Sequence, residues 1–304
     1  MSNGYTKQLN TILMYPIICS PMNSVSDVNL AVACHKSGIL PSLVQFGYVS
    51  DGVFDIKKFE NALAEYANLT NNGKLLVATD VKSIQSSDIV SLFLKYNVQY
   101  VEILDCEAYN ARDMYNASIQ LRQQNIFVSP KLLAGYKSVK QIFDNIGPID
   151  CVTIKGPNGA GRGLEGIVLE EEIVKIKQEF PNIILIVSGG INTSADIKRM
   201  ISLGADWVSI GTMFCTSVES SMSVEAKNKI INATYSDTQK LSTGARQSSL
   251  VFSSIEEKDM NNTLGLYHGV RTGTSGHVYV GTGIDMISKI EPVQDIVNRL
   301  VQDL

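Results

Sequence analysis

Eight short runs of apolar and β-branched residues recur along this chain, and segments of helical period separate them. The runs are Tyr15–Cys19, Ile39–Val44, Lys74–Ala78, Tyr100–Leu104, Ile126–Ser129, Cys151–Ile154, Ile183–Val187 and Trp207–Ile210. Between them, Asp27–Lys36, Phe59–Tyr66, Ser87–Lys95, Ala111–Gln123, Val139–Asn145, Glu170–Glu179 and Ser194–Leu203 place apolar residues three and four apart. One strand and one helix every 25–35 residues, roughly, is the spacing of a βα unit. Strands that are apolar on both faces belong in a parallel sheet covered on both sides. Eight such units favour a closed (β/α)8 TIM barrel over an open doubly wound sheet.

Local punctuation agrees. Ser26-Asp27 and Thr193-Ser194 are N-cap signals, and Gly38 and Gly204 are placed to close helices. The barrel is expected over residues 1–216. Residues 217–282 hold one helix, Val224–Thr234, and then a polar stretch rich in Gly, Ser and Thr, which reads as a small helical and loop lid subdomain. Residues 283–304 read as a C-terminal element packing back on the barrel, with an amphipathic helix over Ile284–Leu304.

Composition narrows the function. The net charge of −4 is spread along 304 residues, so no basic footprint for nucleic acid is visible. The apolar runs are too short to cross a membrane, and the N-terminus lacks the apolar core of a signal peptide, so a cytoplasmic protein is expected. Cys19, Cys34, Cys106, Cys151 and Cys215 are scattered without a C-x-x-C spacing and read as buried structural thiols. His35, His268 and His277 have no ligand-like spacing, so no metal site is expected, and the two later histidines read as surface-loop residues.

In a barrel of this kind the residues just after each strand face the active site. Two of these positions stand out. Ser188-Gly189-Gly190 follows the seventh run, and Gly211-Thr212 follows the eighth. Adjacent strands that each end in a glycine turn present two clusters of free N–H groups, which is how such barrels hold a phosphate. Ser20-Pro21-Met22-Asn23 after the first run can wall a flat ring. Thr79 follows the third run, and Lys131 follows the fifth. Lys155, backed by Gly156 and a glycine-rich loop, follows the sixth. Both lysines are candidate partners for an anion or an electron-rich ring edge. Gly161-Arg162-Gly163-Leu164-Glu165-Gly166 matches G-x-G-x-x-G but does not directly follow its strand, so a mobile active-site loop explains it better than a dinucleotide fold.

Together these stretches resemble the nitronate monooxygenase (2-nitropropane dioxygenase) family and its flavin-type enoyl-ACP reductase relatives. The matching segments are Tyr15–Met22, Leu30–Ala33, Ser37–Leu40, Ser188–Ile191, Leu203–Phe214 with Thr216, Glu219 and Ser220, Thr243–Arg246 and Val280–Ile284. The resemblance implies a TIM barrel with FMN as cofactor, its phosphate on Gly189, Gly190, Gly211 and Thr212 and its ring near Pro21, Met22 and Asn23. It implies oxidation of a nitronate or similar small anionic substrate, with NAD(P)H as a further partner and a homodimer as the expected assembly. The sequence departs from the family where a histidine base is expected. Aligned through Lys155-Gly156 and Gly161, that position is Arg162. Arginine stays protonated and can bind an anion or stabilise developing negative charge, but it cannot act as a base. Arg162 and Lys155 are therefore the candidate catalytic residues. Lys155 replaces a family glutamine, and Thr79 an asparagine. Alternatives are an enoyl-thioester reductase and a flavin-binding barrel without a base. A purine-nucleotide oxidoreductase resembling IMP dehydrogenase or GMP reductase would need a nucleophilic cysteine on the loop after the sixth strand. Residues 155–166 contain none.

Overall fold

The computed structural model describes residues 13–50, 53–104, 111–133, 135–163, 166–243, 245–251 and 263–304. Its barrel strands are β1 (Ile17–Cys19), β2 (Ser42–Val44), β3 (Leu76–Thr79), β4 (Tyr100–Ile103), β5 (Phe127–Leu132), β6 (Cys151–Lys155), β7 (Ile184–Ser188) and β8 (Trp207–Ile210). They pair side by side in the order β1-β8-β7-β6-β5-β4-β3-β2. A parallel bridge between Ile18 and Leu40 closes the seam between β1 and the start of β2. There the Cys19 N–H donates to the Leu40 carbonyl at 2.9 Å, and the Leu40 N–H donates to the Ile17 carbonyl at 2.9 Å. The surrounding helices are α1 (Val28–Lys36), α2 (Ile56–Thr70), α3 (Ser87–Lys95), α4 (Ala111–Arg122), α5 (Tyr136–Asn145), α6 (Leu169–Glu179) and α7 (Ser194–Ser202). The architecture is a (β/α)8 TIM barrel.

Strand alternation divides the interior into two cores. Val152, Ile154, Leu185, Val187 and Val208 pack under the helices. Cys151, Ile184, Ile186 and Trp207 instead join Ile18, Leu40, Leu76 and Tyr100 on the barrel axis, at the N-terminal ends of the strands. Two residues further along the same faces come polar side chains: Glu102, Ser129, Thr153 and Ser209, all buried. Ser129 Oγ and Thr153 Oγ1 lie 2.7 Å apart. The barrel is thus apolar below and polar above, which leaves the C-terminal mouth suited to a polar ligand.

The caps hold the helices at their expected ends. The Asp27 side chain accepts from the Leu30 N–H at 3.1 Å. Thr193 and Asp196 form a reciprocal capping box on α7. Cys19, Cys34, Cys151 and Cys215 are free and buried, while Cys106 lies outside the described residues.

The sequence reading differs from the structure beyond the barrel. Residues 217–282 contain α8 (Val224–Ile231), β9 (Gln239–Thr243), β10 (Ala245–Val251), α9 (Thr263–Thr272) and β11 (His277–Tyr279). Where helix and loop are expected, β9 and β11 pair antiparallel with β10. The strand Gly161–Gly163, in the loop after β6, also pairs with β10, with Arg162 opposite Gln247. That loop is therefore stitched into the extra unit along its length at 161–163, not free as expected. Near the C-terminus the expected single helix is split. A 3-10 turn covers Thr282–Met286, and α10 runs only over Val293–Val301. Pro292 is its N-cap, a position that a proline tolerates and a helix interior does not.

His277 is a second correction. It is fully buried in β11, and neither ring nitrogen has a hydrogen-bond partner among the described residues. Burial pushes its imidazole down to about 4 from an ordinary value of 6.5. The unfolded chain therefore takes up this proton first as pH falls. The associated stability is complete above about pH 6.5 and is lost towards pH 4, by up to ~3 kcal/mol. His277→Phe should shrink the drop in melting temperature between pH 7 and pH 4.5. An unchanged drop would assign the acid sensitivity to other groups.

Candidate active site

The C-terminal strand ends surround a cleft. Ten of the residues singled out in the sequence line it: Pro21, Met22, Asn23, Lys131, Lys155, Ser188, Gly189, Gly190, Gly211 and Thr212. Two others, Thr79 and Gly156, stand outside the lining. Thr79 is fully buried, and its hydroxyl donates to Gln45 Oε1, away from the cleft lining. Gly156 lies behind the lining, where its N–H donates to the Ser188 carbonyl at 2.8 Å. The backbone of Arg162 is in the short strand against β10, and its side chain lies outside the described residues, as does that of His268.

The two glycine turns are built differently. Gly189 and Gly190 have φ of +95° and +80°, a region that glycine enters without strain. A Cβ on Gly189 would lie 2.7 Å from the Gly156 carbonyl oxygen, so this glycine lets the loops after β6 and β7 touch. Gly211 has φ −115° and caps the short helix Thr212–Cys215. Its Cβ position meets only side chains, Ser20 Cβ at 3.4 Å and Met22 Sδ at 3.5 Å. The backbone N–H groups of Gly190, Ile191, Gly211 and Thr212 find no partner among the described residues. By contrast, the next two N–H groups, of Asn192 and Thr193, are both taken by Asp196 Oδ2 at 3.1 Å. Four vacant N–H groups on residues that line one cleft suit the several acceptor oxygens of a phosphate monoester.

A return segment of the extra unit braces these turns. The Gly281 N–H donates to Thr212 Oγ1 at 3.0 Å, and the Thr282 N–H donates to the Asn158 carbonyl at 3.1 Å. A Cβ on Gly283 would lie 2.4 Å from Asn192 Oδ1. One short stretch therefore touches the loops after β6, β7 and β8. The thiol of Cys215 sits 3.4 Å from Met22 Sδ, and burial pushes it up to about 12. It is therefore a packing group and not a nucleophile at neutral pH. Burial pushes Cys151 upward as well. Across the cleft, Met222, Leu266, Val270, Val278 and Tyr279 form a largely apolar wall.

The lysines carry the local charge. Lys155 Nζ donates to the Ala160 carbonyl, which folds the side chain over its own loop. Lys131 Nζ pairs with Glu102 Oε1 at 2.8 Å inside the barrel. Sequence reasoning passed over Glu102, although a carboxylate at an axis-facing position of a four-residue apolar strand is itself a signal. Asn23 Oδ1 and Ser209 Oγ are buried on the cleft lining without a partner among the described residues. Unsatisfied buried acceptors and hydroxyls beside vacant N–H groups are what a polar ligand would complete.

A model of the nitronate monooxygenase family matches residues 6–303. The structure of FabK from Thermotoga maritima covers 98% of this chain and 94% of its own, with a TM-score of 0.78 at 22% identity. Nitroalkane oxidase from Streptomyces ansochromogenes covers 97% of each chain, with a TM-score of 0.75 at 17% identity. Isopentenyl-diphosphate delta-isomerase from Mycobacterium marinum is 39% identical over 61 residues, 20% of this chain and 18% of that protein. The chain thus spans about a fifth of that curated relative. Among the described residues no helix is long and apolar enough to cross a membrane. The chain belongs to the nitronate monooxygenase family of flavin-dependent oxidoreductases.

Proposed function

We propose that this protein is an FMN-dependent oxidoreductase that oxidises a nitronate or a similar small anionic substrate. The observation that carries this reading is the pair of glycine turns with vacant N–H groups opening into a cleft that also holds two lysines. When bound, FMN would take up the electrons released by the substrate and pass them to an acceptor. Gly190, Ile191, Gly211 and Thr212 would hold its phosphate. Pro21 and Met22 would give the ring an apolar wall, and Asn23 would accept a hydrogen bond. Lys155, with Arg162 on the neighbouring loop strand, would attract and orient an anion. The cleft-lining groups that can change protonation are Lys131, Lys155, Cys215 and Tyr279 among the described residues. A substrate that arrives already deprotonated fits a lining that holds no histidine among the described residues.

A second reading, reduction of an enoyl thioester with NAD(P)H, is favoured by one feature, the apolar wall of Met222, Leu266, Val270 and Val278. Anaerobic mixing of the FMN-loaded protein separates the two. Bleaching of the flavin by an alkyl nitronate supports the first. Bleaching by NADPH, with colour restored by an enoyl thioester, supports the second. A loaded protein inert to both is a flavin binder without a catalytic base. A colourless protein that ignores added FMN overturns the proposal.

A further inference from the structure

Glu102 lies on the barrel axis with 1% of its side chain exposed, and Lys131 above it is 12% exposed at the cleft floor. On the adjoining strands Glu102 is in register with Ala78 and Ser129, and Lys131 with Thr153, none of them charged; the charged Lys155 stands two residues beyond Thr153 on its strand. Taking two ions out of water costs more than their attraction usually returns, so apolar replacements of similar volume often leave a protein equally stable or more so. Stability alone gives no reason for the pair. Lys131 stands on β5, two strands from β7 in the barrel order. What it meets in the cleft is therefore not the group held at the β7 and β8 turns.

We propose that Glu102 is a positioning residue that fixes the Lys131 ammonium at the cleft floor and offsets its charge, and so sets how much more tightly the cleft holds reduced flavin than oxidised flavin. This rests on FMN occupying the cleft. Two-electron reduction with uptake of one proton leaves the flavin ring one negative charge richer. An uncompensated cation beneath it favours that form, and a compensated cation favours it less.

The test is the two-electron potential of bound FMN, measured against reference dyes, together with the melting temperature of each apo-protein. Glu102→Gln keeps the side-chain size and frees the Lys131 charge. It should tighten reduced over oxidised FMN about tenfold relative to the parent, raising the potential by about 30 mV. Glu102→Asp should return the potential towards the parent value. The double variant Glu102→Gln with Lys131→Met keeps the space filled and removes both charges. It should melt at or above the parent and shift the potential downward, and it decides the matter if Glu102→Gln alone does not fold. Lower melting temperatures with an unmoved potential would make the pair a structural one and overturn the inference. A parent protein that binds FMN while all potentials coincide removes this inference only. A parent that binds no FMN removes the proposed function along with it.

Discussion

Gly211→Glu should weaken FMN binding at least 100-fold while the apo-protein melts within a few degrees of the parent. The backbone at Gly211, φ −115°, lies outside the left-handed region, so it admits a side chain without strain. The new Cβ meets Ser20 Cβ at 3.4 Å and Met22 Sδ at 3.5 Å, and methionine yields readily. The carboxylate then occupies the space where the phosphate is proposed to sit. Placing like charges together costs several kcal/mol, and about 1.4 kcal/mol is a factor of ten in affinity. Gly211→Ala should stay near the parent in both measurements. Titration of the apo-variants with FMN, followed by flavin fluorescence, checks the affinities, and circular dichroism checks the fold. Parent-like FMN affinity in Gly211→Glu would place the phosphate elsewhere.

Gly189→Val should fail in the opposite way, through folding. Its φ of +95° is unfavourable for any residue with a Cβ, by roughly 1–2 kcal/mol before crowding is counted. The added Cβ would lie 2.7 Å from the Gly156 carbonyl oxygen and 3.0 Å from the Gly156 nitrogen. These are backbone atoms held by the β6–β7 pairing, so they cannot move aside as a flexible side chain would. A loss of about 3 kcal/mol or more is expected, or a melting temperature lower by roughly 6–12 °C. Thermal denaturation of the apo-protein measures it. A Gly189→Val protein as stable as the parent would mean that the loops after β6 and β7 separate at little cost.

These two substitutions divide what the sequence joins. Read as letters, Ser188-Gly189-Gly190 and Gly211-Thr212 are equivalent glycine turns. Only the backbone angles and the neighbouring loop show that Gly189 makes room for Gly156 while Gly211 opens to the cleft. The eight barrel strands were legible because a parallel strand covered on both faces is a continuous apolar run. The sheet of the extra unit was not, because Gln239–Thr243 and Ala245–Val251 are dominated by polar residues, and periodicity carries little weight there. Two runs flanking Gly244 were the available hairpin signal. Thr79 was expected at the site from its place at a strand end, but it turns its hydroxyl to Gln45. Glu102 went unused because its partner Lys131 is 29 residues away in sequence, and only barrel closure brings the two together. The bracing of the two glycine turns by Gly281–Gly283 is likewise a long-range contact, 69 residues from Thr212.

The most direct test of the phosphate site compares FMN with riboflavin, which has the same ring and no phosphate. Both are titrated into the apo-protein under identical salt and pH. Two or more charge-assisted hydrogen bonds from the turns, at roughly 1.5–3 kcal/mol each, should make FMN at least about 100-fold tighter. Equal affinity for the two would contradict a phosphate held by Gly190, Ile191, Gly211 and Thr212.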